Sequence, residues 1–202
     1  MRKFVLLCGV LALLAAPGMA QNGTTPAAEI FGGYSYLRVN PGEGAEGINV
    51  PAGWNAAVEI NANSWFAFVA DFSGHYKDIS VDSITANFNL HGFTFGPQFN
   101  YRGERMKGFF RALFGAARSS GDVTVPVDLQ AIRAGGSQAQ ETISGSDTAF
   151  AMAVGGGVDV GASERIGFRL FQADYILTRF ADTNQHNFRL SFGVVFRLGS
   201  RD

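Results

Sequence analysis

Between residues 187 and 198 the chain alternates. Phe188, Leu190, Phe192, Val194, Phe196 and Leu198 occupy one phase, and Asn187, Arg189, Ser191, Gly193, Val195 and Arg197 the other. Successive side chains of a β-strand point to opposite faces, whereas a helix would mix the two sets. The segment reads as a strand with one apolar and one polar or small face. Trp54, Ala56, Val58 and Ile60 alternate in the same way with Asn55, Ala57, Glu59 and Asn61. Phe66, Phe68, Ala70 and Phe72 alternate with Trp65, Ala67, Val69 and Asp71. Phe93, Phe95, Phe99 and Tyr101 alternate with Thr94, Gly96, Gln98 and Asn100. Phe110, Ala112, Phe114 and Ala116 alternate with Arg111, Leu113, Gly115 and Ala117. Phe150, Met152, Val154 and Val158 alternate with Ala149, Ala151, Ala153, Gly155, Gly157 and Asp159. Residues 28–38 and 165–177 carry weaker versions, which brings the expected strands to eight.

The connections alternate as well. Residues 61–64, 102–105 and 161–164 are short turn sequences, while 39–52, 73–86, 119–147 and 178–186 are longer and polar. This predicts an up-and-down meander with all long loops at one end, although Val123-Thr124-Val125 could extend the barrel strands there as a short hairpin. Strand seven should contain an irregularity. Ile166, Phe168 and Leu170 claim the apolar phase, which would turn Gln172 and Asp174 the same way. A bulge between Leu170 and Gln172 would return both to the polar side and turn Tyr175 outward.

An eight-stranded closed barrel can be apolar inside and polar outside, or the reverse in a membrane. Charge placement decides. The polar phases hold Glu59, Asp71, Arg111, Asp159, Arg169 and Arg189, of both signs, among many Gly and Ala. Eight strands enclose an interior that side chains just fill, so small residues and paired charges suit it. Glu59 or Asp71 is expected to pair there with Arg111 or Arg189. The apolar phases hold the bulky rings, and Phe66, Phe68, Phe110, Phe114, Phe150, Phe188, Phe192 and Phe196 are expected to face lipid. Such a surface on a soluble barrel would aggregate. The fold class read here is all-β, an eight-stranded antiparallel up-and-down transmembrane barrel. Trp54, Trp65, Tyr101 and Tyr175 fit interfacial girdles, although Trp65 falls in the interior phase.

Composition agrees with this. Of 202 residues 47% are hydrophobic and 16% charged, with 19 Phe, 26 Gly and a net charge of -1. A near-neutral chain lacks the basic face of a nucleic-acid binder. Its single cysteine excludes a disulfide scaffold and a thiolate zinc site. That residue, Cys8, lies in the apolar run Phe4–Ala16, which follows Arg2 and Lys3 and precedes Gly18-Met19-Ala20. The run is too short to span a membrane as a helix and has the layout of a secretory signal. Residues 1–20 are read as a signal peptide cleaved after Ala20, and 21–202 as the barrel domain, with the barrel proper at about 27–198.

The sequence resembles the OmpA-like eight-stranded outer-membrane barrels, and more closely the short porin-family proteins of acidobacterial type. The resemblance covers roughly residues 27–198. It is carried by Gly33-Tyr34-Ser35-Tyr36-Leu37-Arg38, Gly53-Trp54-Asn55, Asp71-Phe72-Ser73-Gly74, Gly96-Pro97, Phe114-Gly115-Ala116-Ala117, Gly155-Gly156-Gly157-Val158-Asp159 and Asp174-Tyr175. These motifs describe a barrel rather than a chemistry. The resemblance implies the outer membrane of a Gram-negative bacterium, contact with its lipid, and insertion by the barrel-assembly machinery. The aromatic that often ends such barrels is displaced here, because the chain runs past Phe196 to Asp202. The peptidoglycan-binding domain that follows the barrel of OmpA is expected to be absent.

Nothing in the motifs calls for a catalytic residue, a cofactor or a metal. His75, His91 and His186 fall in or beside the expected outer loops, read as solvated, with no spacing that would converge on a metal. Ser73, His75 and Asp71 share a strand phase, so a Ser-His-acid set is geometrically open, but Gly74-His75 reads as the start of a loop. Gly155-Gly156-Gly157 lacks the Lys-Ser/Thr and helix of a phosphate loop. The expected function is a non-enzymatic envelope or surface-interaction barrel with a largely plugged polar lumen, meeting an extracellular ligand through its outer loops. The alternatives are a narrow porin-like channel and, behind it, a lipid-modifying enzyme.

Overall fold

The structure, a computed structural model, describes residues 25–40, 46–81, 84–127, 139–180 and 183–200. The signal segment and its cleavage position Ala20 lie outside the described residues. The strands are β1 (Ala28–Val39), β2 (Ile48–Val50), β3 (Ala52–Asn61), β4 (Phe66–Val81), β5 (Ile84–Arg102), β6 (Met106–Val127), β7 (Ala139–Gly161), β8 (Ile166–Phe180) and β9 (Thr183–Leu198). Each pairs antiparallel with its neighbours, and β1 closes the sheet on β9 from Ala28↔Leu198 to Arg38↔Phe188. β2 and β3 both pair with β1 and form one stave interrupted at Pro51. Proline has no N–H to give a ladder, so the break falls there. The nine segments therefore make eight staves, the closed meander that the alternation predicts.

The short turns are built locally. Asn63 Oδ1 accepts from the N–H groups of Trp65 and Phe66 at 3.0 and 2.8 Å. Ser163 Oγ accepts from the Ile166 N–H at 3.1 Å. A polar side chain that substitutes for a backbone acceptor is what makes Asn and Ser good turn residues. Trp65, whose phase pointed inward, sits in the first of these turns and is exposed, stacked against Phe99. Strand alternation does not extend into a turn.

In three of the four expected long loops the described residues are strand instead. β4 and β5 run on through residues 73–86 to the pair Val81↔Ile84. β6 and β7 pair through 119–127 and 139–147, as far as Val127↔Ala139. β8 and β9 run through 178–186 to Phe180↔Thr183. Both faces are hydrophilic in much of these segments, so the period-two contrast fades while the ladder continues. In 39–52 the described residues Asn40, Glu46 and Gly47 do lie outside any strand. The staves are unequal. The β3–β4 ladder ends at Ala52↔Tyr76 and the β7–β8 ladder at Phe150↔Arg179. The far parts of β4 to β7 therefore rise beyond their neighbours as a four-stranded sheet.

On β8 the irregularity falls where expected. Arg169 pairs with Gly193 and Gln172 with Ser191, so Leu170 and Phe171 together oppose Phe192. Leu170 and Phe171 are both exposed, Gln172 and Asp174 are fully buried, and Tyr175 points out. Backbones approach closely where β1 meets β9. Gly33 pairs with Gly193, and a Cβ on Gly33 would lie 2.1 Å from the Phe192 carbonyl oxygen. Only glycine fits such a contact.

Candidate functional site: the charged interior

The inward positions of all staves converge on a dense polar interior. In its half nearer the short turns, Lys107 Nζ lies 2.5 Å from Glu29, 2.9 Å from Glu59 and 3.3 Å from Asp159. Arg102 adds contacts of 2.7 Å to Glu29 and 3.5 Å to Glu59. Arg169 grips Asp159 with Nε and Nη2 at 2.7 and 3.0 Å. Its guanidinium lies between the rings of Phe31 and Phe109, 4.2 and 4.3 Å from their centroids. Such stacking satisfies a planar cation whose hydrogen bonds lie in its own plane.

A second group lies further along the axis. Arg111 reaches Asp71 at 3.0 Å and Asp174 at 3.0 and 3.2 Å. Arg189 reaches Asp71 at 2.9 Å and Asp174 at 2.8 and 3.1 Å. Gln172 joins the two groups. It accepts from Arg169 at 2.6 Å and donates to Asp174 at 2.7 Å and to Asn55 at 3.1 Å. Asn55 in turn donates to Asp71 at 3.0 Å. The bulge at Leu170–Phe171 allows Arg169 and Gln172 both to point inward. Gly155 serves the same end, because a Cβ there would stand 2.4 Å from Asp174 Oδ1.

Beside these charges lies an apolar collar of Phe31, Ala57, Val69, Leu113, Ala153 and Val195. A void of about 10 Å³ is left between Glu29, Phe31, Glu59, Arg111 and Arg169. Another of about 30 Å³ lies beyond Arg189, against Leu37, His75, Leu90 and Ile176. Cavities of this size hold a water or a few.

Of the residues singled out in the sequence, Glu59, Asp71, Arg111, Asp159, Arg169 and Arg189 are all buried in this interior. Asp71 meets both Arg111 and Arg189, whereas Glu59 meets Lys107 and Arg102 instead. Phe68, Phe110, Phe114, Phe150, Phe188, Phe192 and Phe196 stand exposed on the outer face, with Phe66 partly covered among them. Sequence reasoning passed over Glu29, Arg102 and Lys107. Lys107 continues the inner phase of β6 backward from Arg111 through Phe109, a signal that was readable. Glu29 lies on β1, where Phe31 and Leu37 point inward and mask the polar phase.

The histidines are not loop residues. His75 is buried on β4, with Nε2 2.9 Å from Ser35 Oγ, and Ser35 is bonded to Ser191 at 3.0 Å. Its partner is thus Ser35 and not Ser73. The expected loop begins well beyond it because β4 continues to Val81. His91 and His186 lie on β5 and β9, and each meets a tyrosine hydroxyl, Tyr76 at 3.2 Å and Tyr175 respectively. Among the described residues no set of three or more His, Cys, Asp or Glu is arranged to hold a metal ion.

An eight-staved barrel with aromatic rings outside and charges inside defines a transmembrane β-barrel. The chain belongs to the outer membrane protein beta-barrel domain family, whose model matches residues 6–196, and its place is the outer membrane of a Gram-negative bacterium. Solved barrels superimpose on it. Ail, the attachment invasion locus protein of Yersinia pestis, has a TM-score of 0.57 at 18% identity, covering 85% of this chain and 100% of that one. Ail in complex with the heparin analogue sucrose octasulfate scores 0.56 at 19% identity, over 84% and 97%. Neisserial surface protein A scores 0.57 at 14% identity, over 88% and 100%. At these identities the likeness is one of fold. A comparison with curated proteins finds no match.

Proposed function

We propose that this chain is a non-enzymatic outer-membrane barrel. Its lumen is closed by its own side chains, and it works through the surface it presents beyond the membrane. One observation carries the reading. Glu29, Glu59, Asp71, Asp159 and Asp174 are matched inside the barrel by Arg102, Lys107, Arg111, Arg169 and Arg189 in a continuous network. An ion crossing it would have to displace bonded charges in a low-dielectric interior. Catalysis is disfavoured by the same geometry, since His75 is bonded to Ser35 and Asp71 to two arginines. The outer rings would meet lipid, the segment ending at Ala20 would be removed on export, and the barrel-assembly machinery would insert the rest. The complex of Ail with a heparin analogue supports a ligand-binding role for a barrel of this shape.

Single-channel recording of the purified barrel in planar bilayers tests the closed lumen. No steady conductance is expected. Stable open steps would establish the narrow channel instead.

A further inference from the structure

The void of about 30 Å³ beyond Arg189 is bordered by Ser73 and His75 on β4, Thr94 on β5 and Arg189 on β9. Ser73 and Thr94 are each 6% exposed, His75 and Arg189 2%. Arg189 spends Nε and Nη2 on Asp174 and Asp71, which leaves Nη1. His75 spends Nε2 on Ser35, which leaves Nδ1. Ser191 donates to Ser35, so Ser35 has its own hydrogen to give to Nε2, and the ring hydrogen sits on Nδ1. Among the described residues the hydroxyls of Ser73 and Thr94 bond no protein atom. Four buried donors therefore border one small space.

Acceptors are scarce there. Asp71 also borders the void, but its Oδ1 is taken by Arg189 and its Oδ2 by Arg111 and Asn55. Asn187 donates to Thr178 at 3.2 Å and accepts from the Asn40 N–H at 3.1 Å. Leu37, Leu90 and Ile176 give the space an apolar side, continuous with Val39 and Val50. A water here would find acceptors for its hydrogens only in the two hydroxyls. A halide needs donors alone, and a guanidinium is a strong one. The charges agree. Asp71 and Asp174 are offset by Arg111 and Arg189. Lys77, one inward position further along β4, donates to the Asn49 carbonyl at 2.9 Å rather than to a carboxylate. Asp147 is three strands from His75 in the register and exposed, so solvent screens it. Gly92 keeps the space, because a Cβ there would stand 2.8 Å from Ser73 Oγ.

We propose that this void binds one chloride-sized monovalent anion, held by Arg189 Nη1, Ser73 Oγ, Thr94 Oγ1 and His75 Nδ1. The ion reaches no further along the axis, because Asp71 and Asp174 with their arginines close the interior behind it. The site therefore stands apart from conduction. It makes the far half of the lumen a place where a small anion rests.

The test uses the purified barrel in lipid nanodiscs at constant ionic strength, with sodium gluconate replaced stepwise by sodium chloride or sodium bromide. Nuclear magnetic resonance signals of Ser73, His75 and Thr94 should shift along a saturable curve in either halide and stay still in gluconate alone. Thr94→Val and Ser73→Ala each remove one hydroxyl donor and should weaken binding about tenfold. Gly92→Ala keeps every donor and fills the space, so the saturable shift should vanish. Ser146→Ala on the projecting part of β7 should leave binding unchanged. Heat-modifiable mobility checks that each variant is folded. Signals that ignore both halides would mean that the void holds water only, and would overturn the proposal. A shift that never saturates, or that persists in Gly92→Ala, would mean an adventitious ion only, and would overturn it too. A barrel that binds halide and carries no current supports both the site and the closed lumen. Current with saturable binding would keep the site and end the closed lumen; neither current nor binding would do the reverse.

Discussion

The walls of the barrel and the sheet that rises beyond them are made of the same strands under different rules. Within the wall, the outer face of β7 carries Phe150, Met152, Val154 and Val158, and the inner face carries Ala, Gly and the buried Asp159. A few residues further along the same strand, Thr142, Ser144, Ser146 and Thr148 on one face and Gly145 and Asp147 on the other are all exposed. The ladder to β6 does not notice the change. Backbone hydrogen bonding thus sets where strands run, and the media on either side set which side chains they carry. Where both sides are aqueous, the sequence is free of the alternation.

Mutations should separate the two regions, and the largest effect should come from the interior. Asp174→Ala leaves Arg111 and Arg189 short of a partner in a fully buried site, at a cost of about 3–5 kcal/mol. Urea unfolding of the refolded barrel measures it. The exposed Asp147→Ala should change stability by no more than about 0.5 kcal/mol. Equal losses at the two positions would break the contrast.

Next in size is a charge on the outer wall. Phe192 is 55% exposed on β9, and Phe192→Arg in lipid should cost about 2–4 kcal/mol. The matching change beyond the wall, Ile143→Arg, should be close to neutral in stability. If Phe192→Arg refolds into vesicles with the wild-type midpoint, the outer face of β9 does not meet lipid.

Gly155→Ala should cost about 1–3 kcal/mol, as its Cβ would press on Ala173 O and Asp174 Oδ1 at 2.2 and 2.4 Å. Gly145→Ala meets nothing within 4 Å and serves as the control beyond the wall. The smallest effect should follow the largest edit. Replacing residues 122–144 by Asn-Gly joins Gly121 to Gly145, which already face one another as a hydrogen-bonded pair, through a two-residue hairpin turn. Heat-modifiable electrophoretic mobility should report a folded barrel, with stability within about 1 kcal/mol of wild type. A barrel that no longer folds would mean that the projecting sheet is part of the wall's own stability.

The sequence reveals the wall because two opposed solvents impose a period on it. Phe188 to Leu198 can be read as a strand, and even the bulge is legible, since without it Gln172 and Asp174 would face the wrong way. β1 is harder. Its inner face mixes Glu29 and Ser35 with Phe31 and Leu37, because the interior needs an apolar collar as well as charges. Of the projecting strands little beyond Val123-Thr124-Val125 could be read, and the polar composition around it looked like loop. Ion-pair partners depend on register across staves: Lys107 and Glu29 are 78 positions apart and touch only because the barrel closes.

The bulge on β8 also bears on how such a gene can change length. Elsewhere in a regular stave, losing one codon inverts every residue on one side of the lesion and sends charges into the membrane. At Leu170 it would not. Arg169 would still point inward, Phe171 outward, and Gln172 and Asp174 inward, because the lost residue is the one that has no rung of its own on β7 or β9. The stave carries a spare position, and a deletion there is silent to the frame of inside and outside.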